Sequence, residues 1–137
     1  VTIAGIGPVR KPKILVVDDD AALLRMVEKV MSKVGEVTCA SDGQEALDRL
    51  LEGLAPDIII TDLMMPRMDG LQLVEQLQKD NKLKHIPVIM LTAKGTPKDV
   101  ITGINKGARH YIVKPFKTQD LIKKVATLLN RKDLIYS

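Results

Sequence analysis

The stretch Asp57-Ile-Ile-Ile-Thr-Asp62-Leu-Met-Met-Pro66-Arg-Met-Asp69-Gly70 constrains the fold more than any other. Three consecutive isoleucines leave no polar face, so they read as a strand buried on both sides, as in the interior of a parallel sheet. That strand runs into a carboxylate, Asp62, and Asp69-Gly70 then opens a helix. An acid at the carboxyl end of a buried strand stands where open α/β sheets bind their ligands. One Asp in that place also serves as an ordinary cap or turn residue, so the rest of the chain has to decide.

The same rhythm recurs four more times. A first strand at Lys13–Val17 ends in Asp18-Asp19-Asp20 and is followed by a helix over Ala21 to Lys33, with Leu23, Leu24, Val27, Val30 and Met31 as its apolar stripe. A second strand, Glu36–Ala40, precedes Ser41-Asp-Gly-Gln44, which has the form of a capping box opening a helix to about Glu52. The third strand is Ile58–Thr61. Asp69-Gly-Leu-Gln72 opens its helix by the same device, and Leu73, Val74 and Leu77 face inward. The fourth strand, Pro87–Leu91, leads to Thr92-Ala93. Thr96 as cap, Pro97 at the first helical position and Asp99 then start a fourth helix that Gly107 ends. A fifth strand, His110–Val113, closes on Lys114-Pro115-Phe116, and Thr118 is expected to cap a fifth helix with Leu121, Ile122, Val125, Leu128 and Leu129 inward. Short buried strands joined by single helices require a parallel sheet with right-handed crossovers. The fold class is α/β, a doubly wound (βα)5 unit.

At 137 residues the chain is long enough for one domain with a real core. Residues 1–12 have no period and read as an extension or linker, 13–130 as the domain, and 131–137 as a polar tail. Aromatic residues make up only 2%, so the core is aliphatic and base-stacking platforms for single-stranded nucleic acid are absent. The single Cys39 excludes an internal disulfide and, with two histidines, argues against zinc; it reads as a small core residue. No apolar run reaches the roughly 20 residues of a membrane span, and no signal peptide is visible, so a cytoplasmic protein is expected. Residues 94–137 hold ten Lys/Arg against three Asp/Glu, while the remainder is net acidic. Scattered lysines of this kind usually form a solvated face, and direct nucleic-acid contact is not expected.

In such a sheet the carboxyl ends of all strands share one edge. Asp18, Asp19, Asp62, Thr92 and Lys114 therefore converge there. Crowded carboxylates raise one another's pKa unless cations neutralise them, and Lys114 supplies one charge only. A hard divalent ion with oxygen ligands is the natural remainder, and the donor set suits Mg²⁺. Asp20 is expected to cap the first helix.

Several pieces of the chain now stand together: Leu15-Val-Val-Asp-Asp19, Ser41-Asp-Gly-Gln-Glu-Ala-Leu47, Thr61-Asp-Leu-Met-Met-Pro66, Met68-Asp-Gly70, Leu91-Thr-Ala93, Gly107-Ala108 and Tyr111-Ile-Val-Lys-Pro-Phe116. In this order and spacing the chain resembles the receiver domain of bacterial two-component response regulators, over about residues 13–130. The resemblance implies a flavodoxin-like sheet in the order 2-1-3-4-5. It implies Asp62 as phosphoacceptor, with Mg²⁺ held by Asp19, Asp62 and the backbone carbonyl of Met64, and by Asp18 through a water. It implies contacts from Thr92 and Lys114 to the phosphoryl oxygens and a cis Lys114–Pro115 bond. Thr92 and Tyr111 would switch together, altering an output face made of the fourth helix, fifth strand and fifth helix. The partners implied are a histidine kinase or histidine phosphotransfer protein and, through the output face, a downstream protein or a second copy. Met64 and Lys94 occupy the positions that flank the path of a hydrolytic water and would tune the lifetime of the phosphorylated state. Lys106, where the family commonly has Ala, and Val100 depart from the pattern on the output face.

The expectation is a signalling switch rather than a metabolic enzyme. A pseudo-receiver working as a constitutive interaction module would require loss of an acid, the Thr or the Lys, and all are present. A phosphoaspartate hydrolase needs a second acid two residues after its nucleophile, where this chain has Met64.

Overall fold

A computed structural model describes residues 2–3, 7–8, 10–93 and 110–136. In chain order these form β1 (Thr2–Ile3), β2 (Gly7–Pro8), β3 (Lys13–Val17), α1 (Ala21–Met31), β4 (Glu36–Ala40), α2 (Gly43–Leu51), β5 (Ile58–Asp62), α3 (Gly70–Gln78), β6 (Val88–Thr92), β7 (His110–Val113), α4 (Thr118–Leu128) and a 3-10 turn, Lys132–Tyr136. β1 and β2 pair antiparallel as a small ribbon. The other five strands form one parallel sheet in the order β4-β3-β5-β6-β7. Numbered within that sheet alone, the order is 2-1-3-4-5, as expected. The helix expected between Thr96 and Gly107 lies outside the described residues, together with Lys94, Val100 and Lys106.

Strand alternation divides the core in two. Leu15, Val17, Ile59 and Met90 face α2 and α3, meeting Ala46, Leu47, Leu50, Leu73, Val74 and Leu77. Ile14, Val16, Ile58, Ile60, Ile89 and Leu91 face α1 and α4, meeting Val27, Met31, Leu121, Val125 and Ala126. Neighbouring residues of one strand thus serve opposite layers, which is why β5 can afford no polar residue before Thr61. Ile58, Ile59 and Ile60 are all fully buried. Truncating one of them to Ala would remove apolar contact and leave a cavity, destabilising the domain by about 2–5 kcal/mol.

Helix starts follow the expected chemistry with two shifts. Asp20 caps α1 by accepting from the Ala22 and Leu23 N–H groups, and Asp69 with Gln72 forms the capping box of α3. The cap of α2, however, is Asp42 and not Ser41: its Oδ1 accepts from Glu45 N at 2.8 Å. Ser41 and Asp42 are both good caps. Ser41 instead gives its N–H and hydroxyl to the Glu45 carboxylate, at 2.9 and 2.7 Å, so Glu45 rather than Gln44 closes the start of α2. In α4 the cap position is Lys117, without a side-chain bond, and Thr118 is already helical. Asp120 in that first turn provides the favourable charge at the positive end of the helix. α1 ends at Met31, two residues before the expected Lys33.

At the amino-terminal edge of the sheet, both flanking segments dock. Arg10 Nη2 lies 3.0 Å from Asp57 Oδ1, and Lys13 N donates to Asp57 Oδ2 at 2.7 Å. Arg131 Nη1 donates to the Arg10 carbonyl at 2.9 Å, while its Nε and Nη2 hold Asp133. Residues 131–137 were expected to be a polar tail, yet Leu134 is buried in the core layer of α1 and α4. Cys39 is half-buried rather than in the core; its thiol donates to Glu28 on α1, and burial first and then that carboxylate push its pKa up to about 11.

Candidate functional site

The opposite edge carries the acids. β3 delivers Asp18, whose N–H continues the β3–β4 ladder onto the Ala40 carbonyl at 3.1 Å. β5 ends on Asp62, β6 on Thr92, and β7 leads directly to Lys114, whose N–H bonds the Thr92 carbonyl at 2.6 Å. The sheet therefore brings together Asp18, Asp19, Asp62, Thr92 and Lys114. Carboxylate oxygens of Asp18, Asp19 and Asp62 all lie within 4.8 Å of one another. Asp18 and Asp62 are buried, and Asp19 is exposed.

The hydrogen bonds are unevenly shared. Asp62 Oδ1 accepts from Lys114 Nζ at 2.9 Å and from the Leu63 N–H at 3.0 Å. Asp18 Oδ1 accepts from Asp20 N at 2.9 Å, but its Oδ2 is buried without a partner among the described residues. The Thr92 hydroxyl is likewise buried and unpartnered. An unpaired buried polar atom is costly, of the order of 1–3 kcal/mol. Burial, reinforced by the neighbouring charges of Asp62 and Asp19 and opposed by the Asp20 N–H and Lys114, pushes the Asp18 carboxyl up to about 6.

Three close carboxylates, one of them raised and carrying an orphaned oxygen, fit a small hard cation with oxygen ligands. Lys114 neutralises one charge and leaves the cluster net negative.

The Lys114–Pro115 peptide bond is cis. Tyr111 sits two residues before Val113, the cross-strand partner of Thr92, and opposite Met90. Residues two apart on a strand share a face, so Tyr111 and Thr92 look toward the α2–α3 layer, against which Tyr111 packs half-buried. The Met64 side chain is 71% exposed. Lys94 lies outside the described residues.

Two residues near the site were not read from the sequence as part of it. Arg67, in the loop after β5, donates from Nε to Asp42 Oδ2 at 2.8 Å and from Nη2 to the same oxygen. The Glu45 N–H, with Arg67 adding to it, holds the Asp42 carboxyl below the usual range. The signal available was only Asp42's place in an Asp-Gly helix start; its partner is 25 residues away.

Residues 14–126 match the family model of the response regulator receiver domain. The chain belongs to that family. This receiver domain is 40% identical over 123 residues to the chemotaxis protein CheY1 of Helicobacter pylori, covering 88% of this chain and 99% of that protein. It is 42% identical over 122 residues to the probable transcriptional regulator ycf27 of Guillardia theta, covering 88% of this chain but only 46% of the relative. The chain thus spans about half the length of its ycf27 relatives. Among solved structures, the signal receiver domain of a signal transduction histidine kinase from Syntrophus aciditrophicus superposes with a TM-score of 0.80 at 35% identity, over 87% of this chain and 90% of that one. No helix among the described residues of the receiver domain is long and apolar enough to cross a membrane.

Proposed function

We propose that this receiver domain takes a phosphoryl group onto Asp62 from a phosphohistidine, on a histidine kinase or histidine phosphotransfer protein, and works as a switch rather than a turnover enzyme. The observation that carries the reading is the Asp18–Asp19–Asp62 cluster with Lys114 Nζ on Asp62 Oδ1. Asp19, Asp62 and the Met64 carbonyl would hold Mg²⁺ directly, and Asp18 through a water. Bound there, the ion would screen the acids and the incoming phosphate from each other, which is the main barrier to bringing them together.

This chain's own residues do the rest. Both described hydrogen bonds to the Asp62 carboxylate fall on Oδ1, which leaves Oδ2 to attack in line. A bond forms from that oxygen to phosphorus as the phosphorus–nitrogen bond of phosphohistidine breaks, and its electron pair leaves with the imidazole. Lys114, already 2.9 Å from the carboxylate, shifts its charge onto a phosphoryl oxygen. Thr92 then has an acceptor for its buried hydroxyl, which has no partner among the described residues. As it turns to the phosphoryl group, Tyr111 on the same face moves inward, altering the surface of β7 and α4 that meets a downstream protein or a second copy. Met64 and Lys94 tune the lifetime of the acyl phosphate.

Labelling with a small acyl phosphate donor tests the reading. Wild type should label in the presence of Mg²⁺ and fail to label when the metal is chelated beforehand, and Asp62→Asn should not label. Equal labelling of Asp62→Asn would sink the assignment.

A further inference from the structure

We propose that Arg67 and Asp42 form a clamp that positions the loop after β5 and thereby sets Mg²⁺ affinity at the acidic edge. The inference rests on the reading above, in which the Met64 carbonyl of that loop is a ligand.

The loop from Met64 to Asp69 is closed at its base, where Gly70 N bonds the Leu63 carbonyl at 2.9 Å. Beyond that base, Met65 and Met68 pack against the core layer of α2 and α3, Asp69 caps α3, and two polar contacts run to the start of α2. Gly43 N donates to the Met68 carbonyl at 3.2 Å, and any side chain on Gly43 would collide with that carbonyl. Arg67 forks onto Asp42 Oδ2, and Asp42 uses its other oxygen to cap α2. One mostly buried carboxylate therefore joins the helix start to the tip of the loop.

The backbone at Arg67 shows that this position is selected and not relaxed. Its φ is 64°, and Met68 N bonds the Pro66 carbonyl at 2.7 Å around it. A three-residue turn with positive φ at its centre is the classic γ-turn, the rare and strained form. Glycine would adopt that conformation with less strain. An arginine there has a conformational disadvantage that its contact to Asp42 offsets. Without the contact the turn can relax, and the carbonyl three residues upstream loses its fixed direction. Groups that orient metal ligands typically change affinity by roughly 10–100-fold when removed. The Arg67 side chain is largely exposed and acts through only one ligand, so the low end applies.

The test is calorimetric titration of the whole chain with Mg²⁺ alone. The variants are Arg67→Leu, which suits the positive φ no better than arginine and cannot fork, Arg67→Lys, Asp42→Asn and the Arg67→Leu/Asp42→Asn pair. Arg67→Leu and Asp42→Asn should each weaken binding roughly tenfold. The pair should weaken it no more than the worse single variant, and Arg67→Lys should recover part of the loss. Thermal melts without metal should show Arg67→Leu close to wild type, since the relaxed turn recovers the strain that the lost contact had offset; a structural role alone predicts a clear drop in melting temperature and leaves the dissociation constant unmoved. Wild-type Mg²⁺ affinity in Arg67→Leu overturns the clamp. If that affinity still collapses in Asp19→Asn, the metal site stands and only the clamp falls. If wild type itself binds no Mg²⁺, both readings fall together.

Discussion

The two edges of the sheet are built from the same residue types and do opposite things with them. At the amino-terminal edge, Asp57 faces Arg10 and the Lys13 N–H, and Asp133 faces both arms of Arg131. Burial pushes the Asp57 carboxyl up, but the Lys13 N–H and Arg10 outweigh it and hold it below the usual range. At the carboxyl edge three acids share one lysine, an Asp18 oxygen and the Thr92 hydroxyl have no described partner, and the Asp18 carboxyl rises to about 6. Matched charge near water contributes modestly and does nothing further. Unmatched, buried charge is unfavourable until something binds, and that is the mark of a site.

The largest effect that separates the edges is on metal affinity. Asp19→Asn should weaken Mg²⁺ binding by about 100-fold or more, by loss of a direct charged ligand, whereas Asp57→Asn should leave the dissociation constant unchanged. Calorimetric titration of the two variants checks this, and an effect from Asp57→Asn would break the division.

Next comes stability without metal. Asp18→Asn keeps an acceptor for the Asp20 N–H but removes the desolvated charge, and should stabilise the chain by about 2 kcal/mol at pH 7.5 in chelator. Urea unfolding measures it. Saturating Mg²⁺ should shrink or reverse that gain, because wild type then acquires binding energy in the folded state.

The pH profile should show the two edges as separate limbs. Asp18 has a folded pKa near 6 against 3.8 unfolded. Its contribution is therefore complete below the lower value and is lost as pH rises through the higher one. Asp57 is shifted the other way, so its contribution is present above the unfolded value and is lost as pH falls through the folded one. Chelated wild type should thus lose stability between about pH 4 and 6 and lose it again on strong acidification. Asp18→Asn should remove only the first limb. Asp57→Asn should reduce only the second, lowering stability at neutral pH by about 1 kcal/mol. Asp42, Glu45 and Asp133, also held below their usual range, contribute to that limb as well.

The smallest effect expected is that of Lys114→Ala on the metal. Lys114 touches Asp62 but is not a ligand, so Mg²⁺ affinity should stay within roughly threefold. Under the proposed function, a change in association on treatment with a phosphodonor is expected in wild type and should be absent in this variant. A collapse of metal binding in this variant would move Lys114 from the phosphoryl group to the metal.

What could be read from the chain was whatever is written locally. The Ile58–Ile60 run and the Asp69–Gln72 box each lie within a few residues, and the structure realises both. The convergence of Asp18, Asp62, Thr92 and Lys114 also followed, because parallel strands leave no freedom over which edge their carboxyl ends share. Adjacent caps of equal quality could not be told apart, hence Asp42 in place of Ser41. Leu134 and Ile135 could not be read as core because two apolar residues at the end of a polar stretch have no period. The Arg67–Asp42 contact, Cys39's turn toward Glu28 and the Arg131–Arg10 tie are tertiary meetings, and no local pattern announces them.

That last tie has a consequence for how the unit travels between proteins. Arg131 reaches the carbonyl of Arg10, so the segment that leads into β3 and the one that leaves α4 are fastened side by side, at the pole remote from Asp18, Asp19 and Asp62. A unit with adjoining entrance and exit can be spliced into a loop or joined at either flank without stretching its host. It is the geometry of a portable part, and it suits a fold that makes up nearly all of one relative and under half of another.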